Sequence, residues 1–67
     1  MTQTITRELF GDVYKIGSVL KGIGLSNAGR SYTVLSIGNT AGRVHLEEHF
    51  TNRKFWTFDR YYRVIDY

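Results

Sequence analysis

From Ser31 to Ile65 the chain alternates extended, apolar-bearing runs with short polar breaks. The runs are SYTVLSI (Ser31–Ile37), RVHLEE (Arg43–Glu48), KFWTF (Lys54–Phe58) and RVI (Arg63–Ile65). In RVHLEE the period is two: Val44 and Leu46 share one side of the pleat, and Arg43, His45 and Glu47 the other, as in a half-buried strand. SYTVLSI places apolar side chains on both sides at Val34, Leu35 and Ile37, the signature of a central strand. Gly38–Gly42 and Thr51–Arg53 supply the turns, and KFWTF returns as the antiparallel partner of RVHLEE.

Upstream the pattern is less regular. VYKIGSVLK (Val13–Lys21) reads as one strand with a bulge or barrel corner at Gly17, and Gly22–Arg30 reads as a long flexible loop. Residues 1–12 form a lead-in. There Thr4 or Thr6 caps a short helical turn ending at Gly11, or Ile5 and Leu9 lie on one side of a strand. At the other end Asp59 is placed to cap a single 3₁₀ turn through Arg60, Tyr61 and Tyr62, after which Val64 or Ile65 closes the core. The expectation is an all-β single domain over residues 1–67, a five-stranded barrel spanning 13–67 with an optional N-terminal helical turn.

At 67 residues there is room for one small core and no second domain. The absence of cysteine excludes disulfides and thiolate metal sites and suits a reducing, cytoplasmic setting. No apolar run approaches a membrane span, and MTQTITRELF lacks the apolar centre of a signal peptide. A net charge of +3 is compatible with polyanion binding, but the chain carries no dense basic tail. Ten aromatic residues, one Trp, five Tyr and four Phe, favour strands and stacking or interface surfaces.

His45-Leu46-Glu47-Glu48-His49 fits the H-x-x-E-H zinc pattern, which works only on a helix, where both imidazoles share one face. On a strand they are separated by about 13 Å, so we expect no metal site. Gly22 to Gly29 lacks the Lys-Ser/Thr of a phosphate loop, and no Ser/His/Asp arrangement stands out. These patterns point away from an enzyme and imply no cofactor. The interleaved stretch Arg53–Arg63 is different, because rings and cations alternate there as in a binding platform. Alternation puts Phe55 on one side and Trp56 with Phe58 on the other. We expect Trp56 in the core, and Tyr61 and Tyr62 on a binding surface.

Five short strands, a long loop after the first, tight turns between the next three and a helical turn before the last resemble the SH3-like small barrels, which include SH3, Tudor and KOW modules. The resemblance covers roughly Tyr14 to Ile65 and rests on element order; Gly17-Ser18-Val19 followed by Tyr32-Thr33-Val34 is faintly similar to the opening of a KOW unit. The polyproline-reading SH3 pattern is absent. The loop bounded by Lys21 and Arg30 holds no acid, and Trp56 lies one strand too late. A chain of this size, starting at its own Met without linker or tail, also resembles the small accessory proteins of phages and mobile elements. That resemblance implies a non-enzymatic module that blocks or redirects a host protein, with Arg60, Tyr61, Tyr62, Arg63, Tyr67, Lys21, Arg30 and Trp56 as the contact residues. Mild basicity argues against DNA mimicry. The alternative is a nucleic-acid-binding barrel, KOW-like or cold-shock-like, and a homo-oligomer paired through edge strands is a third option.

Overall fold

A computed structural model describes residues 5–67, and every described element is a strand or a single 3₁₀ turn. β1 (Thr6–Leu9) and β2 (Asp12–Lys15) form an antiparallel hairpin. β3 (Val19–Gly22), β4 (Ser31–Ile37), β5 (Arg43–Glu48), β6 (Lys54–Phe58) and β7 (Tyr62–Asp66) form one antiparallel sheet in the order β6-β5-β4-β3-β7. A 3₁₀ turn, Asp59–Tyr61, joins β6 to β7. No helix among the described residues is long and apolar enough to cross a membrane.

The expected meander from β4 to β6 is present, with β4 central. In β5 Val44 and Leu46 are buried while Arg43 and His45 face outward, as the period of two requires. The barrel expectation needs correction. β6 and β7 end the ladder without pairing to each other, so the sheet is open and a separate two-stranded sheet lies against it.

The N-terminal helical turn is also overturned. Thr6 opens β1, the Thr4 cap lies outside the described residues, and the proposed boundary at Val13 falls inside β2. Strands this short show too little periodicity to read. Their turn, Phe10-Gly11, has positive φ at both positions (50° and 84°), the geometry whose twist matches a two-residue hairpin. Val13–Lys21 is two strands rather than one. At Gly17, φ is +97°, which a Cβ would disfavour, and Gly17 N–H donates to the Val34 carbonyl at 2.8 Å. The chain thereby turns from the hairpin into the large sheet.

The core is Leu9, Tyr14, Leu20, Tyr32, Val34, Val44, Leu46 and Tyr62, with Ile37, Phe55 and Val64 packed against it. Tyr62 is 4% exposed and Trp56 46%, so both assignments reverse: Tyr62 is core and Trp56 is surface. Trp56 pairs with outward-facing His45, whereas Phe55 pairs with buried Leu46. Of the two residues offered to close the core, Val64 packs inward and Ile65 is exposed. Leu35 is only half-buried, because the β4–β5 register shifts between Val34 and Ser36.

Two contacts fasten the hairpin to the sheet. Tyr14 Oη donates to Asp59 Oδ2 at 2.7 Å, both residues being buried. Arg7 donates to the carbonyls of Arg43 and Gly38, each at 2.8 Å. Asp59 is therefore not the cap of its turn: Phe58 holds the cap position without a side-chain bond, and the Asp59 carboxyl serves Tyr14.

Burial, then the adjacent Asp59, push the Tyr14 phenol far above its ordinary value of 10.0, and burial likewise raises Tyr32. A raised pKa stabilises the neutral, folded form. That contribution is complete below pH 10 and is lost as pH climbs toward the folded-state value. Tyr14→Phe should cost about 1.5–3 kcal/mol by orphaning a buried carboxyl, and should flatten the alkaline decline; denaturant titrations of both proteins from pH 7 to 11 measure each effect. Phe10→Asn should act in the opposite sense, stabilising by about 0.5–1 kcal/mol, since Asn tolerates positive φ and the ring it replaces is 67% exposed. Loss of stability in that variant would mean that the Phe10 ring holds the hairpin.

Candidate functional site

The outward side of β5 and β6 carries a continuous layered strip. The rings of His45 and Trp56 stack with centroids 4.8 Å apart and planes 12° apart. The Arg43 guanidinium carbon lies 5.6 Å from the Trp56 ring and 5.4 Å from the Phe58 ring. Arg60 lies 5.2 Å from Phe58 and 5.0 Å from Tyr61, and donates to the Tyr61 hydroxyl at 3.0 Å. The order is thus His45, Trp56, Arg43, Phe58, Arg60, Tyr61, with each guanidinium between two rings.

Strand register builds this strip. Arg43 opposes Phe58 and His45 opposes Trp56, so period-two alternation delivers all four to one side. The 3₁₀ turn then carries Arg60 and Tyr61 past the end of β6. Gly38 lies beneath. A Cβ there would come within 2.8 Å of Arg43 Cγ and 3.3 Å of the Trp56 ring, so a side chain at this position would displace the strip.

Electrostatically the strip is cationic and unpaired. Among the described residues the ion pairs are Arg30 with Glu48 at 3.0 Å and Lys54 with Glu47 at 3.8 Å, and neither Arg43 nor Arg60 has a carboxylate partner. Cation–ring contacts at exposed sites are worth only about 0.5–1 kcal/mol each. The Arg43 N–H groups, and those of Arg60 not donated to Tyr61, therefore have no carboxylate competing for them.

The structure divides the sequence-derived contact residues among several places. Arg60, Tyr61 and Trp56 meet in the strip. Lys21 and Arg63 oppose each other across β3 and β7, at the other edge of the sheet. Tyr67 lies under the Lys15 ammonium at 4.7 Å, and its carbonyl accepts from Ser18 Oγ at 3.0 Å. Arg30 is tied to Glu48, and Tyr62 is interior. Sequence reasoning did not single out Arg43, His45 and Phe58, which complete the strip; for Arg43 and His45 the available signal was their place on the outer side of RVHLEE, opposite KFWTF.

The helical geometry that the H-x-x-E-H pattern needs is not present. His45 is in β5 stacked on Trp56, and His49 lies beyond the strand with Nε2 at 2.6 Å from Thr33 Oγ1. No group of three or more metal-ligating side chains gathers among the described residues.

The Gly22–Arg30 loop is organised rather than slack. Gly24 N–H donates to Asn27 Oδ1 at 2.7 Å, Asn27 Nδ2 to the Tyr61 carbonyl at 3.3 Å, and Ile23 N–H to the same carbonyl at 3.0 Å. The loop is thereby fastened to the turn that bears Tyr61. Comparison with protein-family models, with curated proteins and with solved structures gives no match.

Because Trp56 lies outside the core, Trp56→Ala should cost less than about 1.5 kcal/mol, whereas Leu46→Ala, which opens a cavity, should cost about 2–5 kcal/mol. Urea denaturation of the two variants distinguishes them; a larger loss at Trp56 would return that ring to the interior.

Proposed function

We propose that this chain is a non-enzymatic protein-interaction module that docks its layered strip onto an acidic surface of a partner. The observation that carries this reading is the ordered alternation of exposed Trp56, Arg60 and Tyr61 with half-buried Arg43 and Phe58, both guanidinium groups being free of carboxylates. Trp, Tyr and Arg are the residues in which small interfaces concentrate their energy. Here they are held on strands and a short turn, so little side-chain freedom is lost on binding.

The element order, with its long loop after β3 and a 3₁₀ turn before β7, supports regarding the fold as an open relative of the SH3-like barrels. A module of this size acts by covering part of its partner, the mode of the phage-type accessory proteins that it resembles in size and style. Occlusion would be the mechanism.

The same layering favours a second reading, single-stranded nucleic acid, in which bases stack on Trp56 and Tyr61 while Arg43 and Arg60 meet phosphates. Affinity capture from lysate and titration with a generic single-stranded oligonucleotide decide between them. The first reading expects a stoichiometric protein partner whose binding weakens at least about tenfold in Trp56→Ala and in Arg60→Ala, with no oligonucleotide binding. Oligonucleotide binding that falls steeply with salt, without a saturable protein partner, would replace it with the second.

A further inference from the structure

We infer that the inner side of the sheet holds a small-molecule site, adjoining the outer strip at Tyr61 and built for a planar ring bearing an anionic group. The hairpin covers only part of that side. Beyond it, a groove of about 650 Å³ opens between loop residues 24–27 and β6, and its lining includes Tyr32, Arg53, Phe55, Thr57, Tyr61 and Tyr62. That volume lies within the range of sites that take cofactors and small ligands.

Two features separate this groove from an ordinary surface dip. Its floor is aromatic: Tyr32 meets Phe55 edge-on at 5.8 Å and Tyr62 at 5.0 Å, and of the lining rings the half-buried Phe55 and the exposed Tyr61 are the ones open to an incoming ring. Its polar groups, in addition, are unspent. Tyr32 and Tyr62 are only 2% and 4% exposed, yet neither hydroxyl has a hydrogen-bond partner among the described residues. Among the described residues no unpartnered side-chain polar atom is sealed from solvent, so both hydroxyls keep an opening, and the groove that both residues line provides it.

A buried tyrosine ordinarily finds a partner for its hydroxyl, as Tyr14 does in Asp59. Two phenols side by side, with no protein partner among the described residues and an opening onto the groove, can donate to an acceptor bound there. The fixed charges give the acceptor's sign. Glu48, the carboxylate on the lining, is taken by Arg30 at 3.0 Å and by Thr51 Oγ1 at 3.2 Å, while Arg53 has no ion pair among the described residues. Phenol O–H groups and a free guanidinium together suit a carboxylate or a phosphate, and the rings suit a flat apolar body.

The assignment is tested by amide chemical-shift titration with phenyl phosphate and 4-hydroxyphenylacetate, with benzyl alcohol as the uncharged ring and inorganic phosphate as the ringless anion. The expected result is saturable shifts centred on Gly24–Asn27, Tyr32, Arg53, Phe55, Thr57 and Tyr61–Tyr62 for at least one aryl anion. Either control should bind at least about tenfold more weakly. Tyr62→Phe and Arg53→Gln should each weaken the aryl anion about tenfold. Neither group has an internal bond to lose, so both variants should keep the parent's melting temperature, and weaker binding cannot be attributed to unfolding. The absence of saturable shifts with both aryl anions at about 10 mM would overturn the assignment, as would inorganic phosphate binding as tightly as they do. Trp56→Ala should leave these titrations unchanged, and a change there would mean that the shifts report the outer strip.

Discussion

The contact that sets how the hairpin lies on the sheet is the 2.7 Å bond from Tyr14 to Asp59. An antiparallel sheet with one apolar side needs a cover for it. Here the cover is a hairpin of two four-residue strands, too small to be stable on its own. Leu9 and Tyr14 supply apolar area, but area does not choose an orientation. The phenol, directed at a buried carboxyl, does so, because a carboxyl withdrawn from water without a donor is far costlier than a misplaced methyl group. Arg7, reaching the carbonyls of Gly38 and Arg43, adds a second point of attachment and prevents rotation about the first.

The same bond extends to the outer strip. Asp59 is the first residue of the 3₁₀ turn, and Arg60 and Tyr61 follow it directly. Fixing the carboxyl fixes the start of the turn, and with it the direction in which the Arg60 guanidinium and the Tyr61 ring leave the backbone. Asp59 N–H also donates to the Gly42 carbonyl at 2.8 Å, next to the Arg43 backbone that Arg7 holds. The inner side of the sheet and the outer strip are thus one mechanical unit.

Much of this was legible in the residues. RVHLEE declared its inner and outer sides, and the β5–β6 hairpin followed from the turn between two β-rich runs. What failed did so for identifiable reasons. Alternation sorts Phe55 and Trp56 to opposite sides but cannot say which is inner, because that parity is set by hairpin register, and a shift of one residue exchanges every side chain. The register observed places Phe55 opposite Leu46. Tyr62 was misassigned by the same logic, since the 3₁₀ turn resets the phase before β7. The N-terminal hairpin was hidden because Phe-Gly is not a customary turn pair and four residues carry two repeats of a period at most. Within the strip, Arg60, Tyr61 and Trp56 were visible from composition, whereas Arg43 and His45 come from the neighbouring strand and join only through cross-strand pairing.

β6 is exposed in two senses: it is an edge strand, and its side chains are directed to both sides of an open sheet. Trp56 and Phe58 face outward and Phe55 and Thr57 inward, so a single five-residue strand borders both the strip and the groove. An edge with this many rings invites indiscriminate pairing. Lys54 at its start blunts that tendency, and the guanidinium of Arg43 covers rings that would otherwise present bare apolar area. The cover is weakly held, since each cation–ring contact is worth about 0.5–1 kcal/mol and no carboxylate locks either arginine in place. A partner carboxylate can therefore draw the cation to itself while the ring beneath stays in position. The layering protects the edge in the free molecule and presents, already ordered, the groups that a complementary surface would engage.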